Sequence, residues 1–216
     1  MDIQAKLTSF AMLGATWVMW VLVGLSIGGV AIALDRAIYL IRTSDNYRRL
    51  KRDVLAFLRV GDVDAARDRL AASKSVEAQV AAAGLANPED GAASAEERIA
   101  GATHVAKIRM ERRLAFLGTL GANAPFIGLL GTVIGIIRAF AELNEAAGKV
   151  TAGLMSEVGE ALVATAIGIM VAIPAIAVFN AYQRVIKTRL ARAESLGREV
   201  MAYLRSDRAP QTAPTV

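Results

Sequence analysis

The chain has 216 residues, of which 55% are hydrophobic and only 6% aromatic, with a mean hydropathy of +0.42. It has no cysteine and a single histidine, His104, which excludes disulfides, thiolate catalysis and any multi-histidine metal site. The net charge of +5 is not accompanied by basic–aromatic interleaving, so it marks the cytoplasmic loops of a helical membrane protein and not a nucleic-acid surface.

Residues 1–10 are short and nearly neutral, and the 24 residues of 11–34 carry no charge. That run is too long for a signal-peptide core of roughly 7–15 residues, so it predicts an uncleaved anchor helix. Trp17 and Trp20 near one end and Tyr39 beyond the other suit the two membrane interfaces, and Gly24 and Gly28 offer a small-xxx-small face.

Residues 35–113 have a helical pattern. Leu50, Val54, Leu55 and Leu58 recur at helical spacing. Gly61 ends that helix, Asp62 caps the next, and a third short helix falls near 76–85. Asn87-Pro88-Glu89-Asp90-Gly91 is a turn, and Ser94 with Glu97 forms a capping box. Nothing local breaks the pattern after it, which predicts one helix from about 94 to 143, kinked at Pro125.

Two further apolar runs, 114–141 and 160–183, are each long enough to cross a hydrocarbon core of about 30 Å. The segment 142–159 between them is a periplasmic loop. Residues 184–216 form a cytoplasmic helix and a disordered tail. The 15 Lys and Arg of 36–113 and the seven from Arg184 onward belong on one side, which places the N-terminus in the periplasm. The expected fold is therefore all-α, with three transmembrane helices, long cytoplasmic extensions and a homo-oligomeric bundle.

The hairpin of the second and third spans is rich in small residues. Gly131 and Gly135 are four apart, as are Ala164, Gly168 and Ala172, a spacing that lets helices approach closely in lipid. Glu160 is the one acid beside these helices. A carboxyl at a membrane helix can bind and release protons, although by run length it equally reads as an interfacial acid favoured by a helix N-terminus. Thr132 and Thr165 either satisfy backbone carbonyls or line an ion path. Thr165 follows Glu160 by five residues, about 140° round the helix, so the two cannot point the same way. Arg138 snorkels to the interface or pairs with Glu142 or Glu157. Asn123 and Asn180 bond across helices, or Asn123 meets water in a channel; His104 is solvated surface. No phosphate-binding loop, nucleophile elbow or metal spacing is present, so the energy source is an ion gradient or a partner.

At these residues, Ala124-Pro125-Phe126-Ile127-Gly128-Leu129-Leu130-Gly131-Thr132 and Glu160-Ala161-Leu162-Val163-Ala164-Thr165-Ala166, the chain resembles the MotA/TolQ/ExbB proton-channel family, nearest its ExbB/TolQ branch. The resemblance implies a non-enzymatic stator of an inner-membrane motor with no cofactor and the proton as its ion. Glu160, Thr132 and Thr165 would form the ion path, with Asn123, Gly131, Gly135, Ala164 and Gly168 lining the pore or packing the helices. It also implies a pentamer around an ExbD/TolR-like dimer of single-span helices, and a TonB/TolA-like or motility-machine transducer. Two other classes fit the residues alone: a non-conducting scaffold, and a self-sufficient channel or transporter, although no inverted repeat is visible.

Overall fold

The computed structural model describes residues 14–206. Among them all regular structure is helical: α1 (Thr16–Arg42), α2 (Tyr47–Arg59), α3 (Val63–Ala71), α4 (Val76–Gly84), a 3-10 turn (Pro88–Asp90), α5 (Gly91–Glu111), α6 (Leu114–Glu145) and α7 (Ala152–Leu204). Three helices, α1, α6 and α7, are long and apolar enough to cross a membrane. The N-terminal segment 1–10 and the tail beyond 206 lie outside the described residues.

The chain forms two compact units. The first combines the chain up to Leu34 with Arg113–Ala181, and the second combines Asp35–Arg112 with the chain from Tyr182 onward. In the first, α1, α6 and α7 enclose a thin core of Val18, Leu22, Leu120, Ala124, Ile134, Val171, Ala172 and Ala175. Large apolar side chains point outward on the same helices: Trp20, Phe126, Phe140 and Met170 are exposed. Small residues inside and bulky ones outside is the arrangement of helices solvated by lipid, where no hydrophobic force drives large side chains inward. Of the small residues in α1, the close approach is at Gly29, where a Cβ would lie 2.7 Å from Leu120, whereas Gly24 meets nothing within 4 Å. The expected Gly24–Gly28 face is thus displaced to the adjacent position.

The second unit has a conventional core of Leu50, Val54, Leu58, Ala66, Leu70, Ala78, Ala81, Leu85, Leu196, Val200 and Tyr203. The caps are side chains of the expected kinds. Asn46 Oδ1 accepts from the Arg49 amide at 3.2 Å, Asp62 Oδ1 from Ala65 at 2.9 Å and Ser75 Oγ from Ala78 at 3.2 Å. Gly61, at φ +79°, makes the turn between α2 and α3. Arginines close the helix C-termini. Arg189 donates to the Leu40 carbonyl at 2.7 Å and to the Thr43 carbonyl at 3.2 Å. Arg67 reaches the Leu85 and Ala86 carbonyls, both at 2.6 Å, and Arg98 those of Ala83 at 3.2 Å and Asn87 at 2.8 Å. Each places a cation where the orphan carbonyls and the negative end of the dipole lie.

The continuous helix expected over 94–143 is broken. Arg112 is extended (φ −51°, ψ 129°) and Arg113 left-handed (φ 65°), so α5 and α6 are separate elements. Nothing in the propensities of Glu111-Arg112-Arg113 calls for a stop. A tertiary contact accommodates the stop: the buried Arg36 guanidinium donates to the Arg109 carbonyl at 3.2 Å, satisfying a group in the last turn of α5. The start of this helix also differs. It begins at Gly91 after the 3-10 turn, and Ser94, inside the helix, makes no capping bond among the described residues. The loop expected over 142–159 is mostly helical, with only 146–151 outside α6 and α7.

Asp45 and Glu77 are among the carboxyls of the second unit with displaced proton affinities. The Ser73 hydroxyl, bonded to Asp45 Oδ2 at 2.6 Å, holds the Asp45 carboxyl below its ordinary value, with Arg69 and Arg49 adding to the effect. Glu77 is buried, and desolvation raises its affinity for the proton against the pull of its own amide, Arg189 and Arg192. A raised acid penalises the charged folded form, so the cost is absent below the ordinary value of 4.5 and grows as pH rises through the folded value. Glu77→Gln should therefore raise the melting temperature at pH 8, followed by circular dichroism in detergent, and the gain should close as pH falls toward 4.5.

Candidate functional site

The site is built on the crossing of α6 and α7. A Cβ on Gly128 would sit 2.7 Å from the Ala164 carbonyl oxygen, and one on Gly168 would sit 2.6 Å from that of Ala124. Neither backbone can yield, so only glycine permits this contact. The crossing continues outward through Gly131, whose Cβ would meet Ala164 Cβ at 2.6 Å, and Gly135, whose Cβ would meet Ala161 Cβ at 2.5 Å. The expected small residues Gly131, Gly135, Ala164 and Gly168 all lie in the helix contact and are buried. Gly128, Gly121, Ala124 and Ala161 complete it. Their signal was the seven-residue spacing of Gly121, Gly128 and Gly135, two helical turns apart on one face.

The two threonines behave differently. Thr165 Oγ1 donates across the crossing to the Gly128 carbonyl at 3.1 Å. Thr132 Oγ1 donates to Leu129 O of its own helix at 2.7 Å, the backbone-satisfying arrangement. Asn123 is exposed and its amide donates to Thr119 O, also on its own helix, at 2.8 Å, with no bond across helices among the described residues. Asn180 and His104 are exposed.

Glu160 lies more than two turns inside α7, which begins at Ala152. This overturns its reading as an acid at a helix N-terminus, because residues 152–159 continue the helix outward and place the orphan amides well before it. Its Oε1 accepts a 2.6 Å hydrogen bond from Thr16 Oγ1 at the start of α1. Glu160 therefore faces α1 while Thr165 faces α6, as five residues of helix require. No hydrogen bond among the described residues joins Glu160, Thr132 and Thr165 within one chain.

The outer end of the crossing holds a second polar group. Arg138 Nη2 of α6 pairs with Glu157 Oε1 of α7 at 2.9 Å, while the alternative acid, Glu142, accepts instead from Thr151 Oγ1 at 2.6 Å. Glu157 Oε2 is buried and has no hydrogen-bond partner among the described residues. Gly14, at φ +84°, lies directly against the Arg138 guanidinium. Thr16 was not a candidate from the sequence, because a lone threonine entering an apolar run carries no local signal of its partner. Among the described residues no group of three or more acids or histidines is placed to hold a metal ion.

These features define a multi-span helical membrane protein whose spans pack backbone to backbone through glycine and alanine and carry a carboxyl inside a helix. The chain belongs to the MotA/TolQ/ExbB proton channel family, whose model matches residues 72–195, a stretch that includes Thr132, Glu160 and Thr165. It is 35% identical over 150 residues to the biopolymer transport protein ExbB of Salmonella typhimurium, covering 63% of this chain and 61% of that one. It is 46% identical over 74 residues to an ExbB-like 2 biopolymer transport protein of Helicobacter pylori, covering 34% of this chain and 49% of the other. With ExbB of Xanthomonas campestris the identity is 37% over 92 residues, covering 43% and 36%. The alignments thus span from about a third to three fifths of these relatives' lengths.

The Thr165 bond and the glycine contact should separate cleanly by mutation. Thr165→Val should cost about 1 kcal/mol, one hydrogen bond, with Thr165→Ser near wild type. Gly128→Ala, forced against a carbonyl oxygen and the Thr165 Cα, should cost about 1–3 kcal/mol. Stability to titrated denaturing detergent measures both.

Proposed function

We propose that this chain is the stator and channel subunit of a proton-driven motor in a bacterial inner membrane, acting without enzymatic chemistry or a cofactor. Family membership supports a proton channel, and the names of its relatives support a role in biopolymer transport. The observation that carries the reading is Glu160: a carboxyl inside the membrane hairpin whose partner is a neutral hydroxyl. Such a group can exchange a proton without first breaking an ion pair.

In this reading Glu160, Thr132 and Thr165 form the ion path, and the N-terminus is periplasmic with the C-terminus in the cytoplasm. Several copies, five by family resemblance, enclose a dimer of ExbD/TolR-like single-span helices. Protons pass between an acid on each partner helix and Glu160, and the exchange drives one part against the other. A TonB/TolA-like or motility-machine transducer carries the force outward. The exposed apolar faces of α6 and α7, with Leu129 and Val133 on one and Leu162 and Ile173 on the other, are surfaces that neighbouring copies or lipid must cover.

The test is Glu160→Gln in the complex purified from its own membranes with whatever partner accompanies it, then reconstituted in vesicles with a pH-sensitive dye. Assembly should be unchanged and proton flux should fall at least tenfold, which corresponds to about 1.4 kcal/mol or more on the barrier. Flux equal to wild type would leave the scaffold as the better description. Full flux from this chain alone, without a partner, would instead favour a self-sufficient channel.

A further inference from the structure

The Arg138–Glu157 pair lies one helical turn from Glu160, and the ion-path reading has no use for it. Within the first compact unit, Arg138 is the only basic residue between the α5–α6 break and the 146–151 loop. Few charged groups lie on the elements that flank Glu160 in this half of the hairpin. Residues 14–34 of α1 carry no charge at all and offer Thr16. From α6 come Arg138 and Glu142, the latter held by Thr151. From α7 comes Glu157, and the adjoining loop region contributes Glu145 and Lys149. Glu157 and Glu160 are three apart on α7, so their Cβ atoms lie about 5–6 Å apart on one side of the helix.

A guanidinium is always charged and binds carboxylates tightly in a poorly hydrated site. An arginine seated on Glu160 would lock it as the carboxylate and stop it from cycling a proton. In the structure the guanidinium is on Glu157 instead, at 2.9 Å, and Glu160 has the Thr16 hydroxyl at 2.6 Å. Gly14 lies against the outer side of the same guanidinium, which limits where it can swing. Glu157 uses one oxygen for Arg138 and leaves the other buried without a donor, so it is not arranged for its own best solvation. Its position suits the retention of Arg138.

We propose that Glu157 is a positioning residue that holds Arg138 away from Glu160, so that Glu160 keeps a neutral partner and remains able to take up and release a proton. This rests on Glu160 being the proton-carrying group of the path. As an ion pair at 2.9 Å, Arg138 and Glu157 offset each other's charge, whereas either one alone acts on Glu160. Without Glu157, the freed guanidinium favours the Glu160 carboxylate. Without Arg138, the bare Glu157 charge disfavours it. Without both, the two effects disappear together.

The experiment is the pH dependence of proton flux through the reconstituted complex for Glu157→Gln, Arg138→Gln and the double variant, beside Glu160→Gln. Glu157→Gln should move the flux midpoint to lower pH and Arg138→Gln to higher pH, each by about one unit, a tenfold change in proton concentration. The double variant should return close to wild type, and Arg138→Lys should keep the wild-type midpoint. Infrared titration of the carboxyl band that Glu160→Gln removes gives the same shifts without relying on flux, which covers a variant that assembles poorly. Midpoints equal to wild type in both single variants, with only the yield of assembled complex reduced, would make the pair purely structural and overturn the inference while leaving the ion-path reading intact. Unchanged flux in Glu160→Gln would overturn both.

Discussion

The structure depends on one steric constraint, the contact of two helix backbones at Gly128 and Gly168. In lipid, apolar side chains gain nothing by turning inward, so helices associate through van der Waals contact and short polar contacts that need close approach. At this crossing each glycine occupies the space in which a Cβ would strike a carbonyl oxygen of the other helix. The register is therefore set by backbone and cannot slide by a residue. Thr165 meets the Gly128 carbonyl, Ala164 meets Gly131, Ala161 meets Gly135, and one turn further out Glu157 meets Arg138. The polar contacts between the two helices inherit their partners from that register.

The anchor helix α1 has a larger part than an anchor needs. Val18 and Leu22 enter the small core with Ala124 and Ala172, and Thr16 supplies the partner of Glu160. A neutral donor stabilises a carboxylate less than a cation does and can also accept from a protonated carboxyl by rotating its hydroxyl. The Arg138 guanidinium between the two helices is paired with Glu157 and not with Glu160.

Much of the basic excess has a structural use. Arg36, Arg67, Arg98 and Arg189 each donate to backbone carbonyls, chiefly at the ends of α5, α4 and α1. Short helices such as α3 and α4, with nine residues each, have little intrinsic stability and a large proportion of unpaired end groups. Guanidinium caps supply what the propensities lack: Arg189 joins α7 to the end of α1, Arg36 joins α1 to α5, and Arg67 and Arg98 close the end of α4.

Three long apolar helices, the α2–α3 turn at Gly61, the Asp62 cap and the small-residue hairpin were all legible in the sequence, because each rests on local composition or on a spacing of three, four or seven residues. So was the divergence of Glu160 and Thr165, which follows from helix geometry alone. The break at Arg112–Arg113 was not legible, because no local residue signals it and the donor that satisfies the Arg109 carbonyl there is Arg36, 73 residues away. The helical extension of α7 before Glu160 was hidden by Gly153 and Gly159, which mark residues 152–159 as loop by local propensity although they are helical. The choice of Arg138 between Glu142 and Glu157, and of Glu160 for Thr16, also waited on the fold: a sequence lists which charges can pair, but the distances that decide between them exist only once glycine has set how closely the backbones meet.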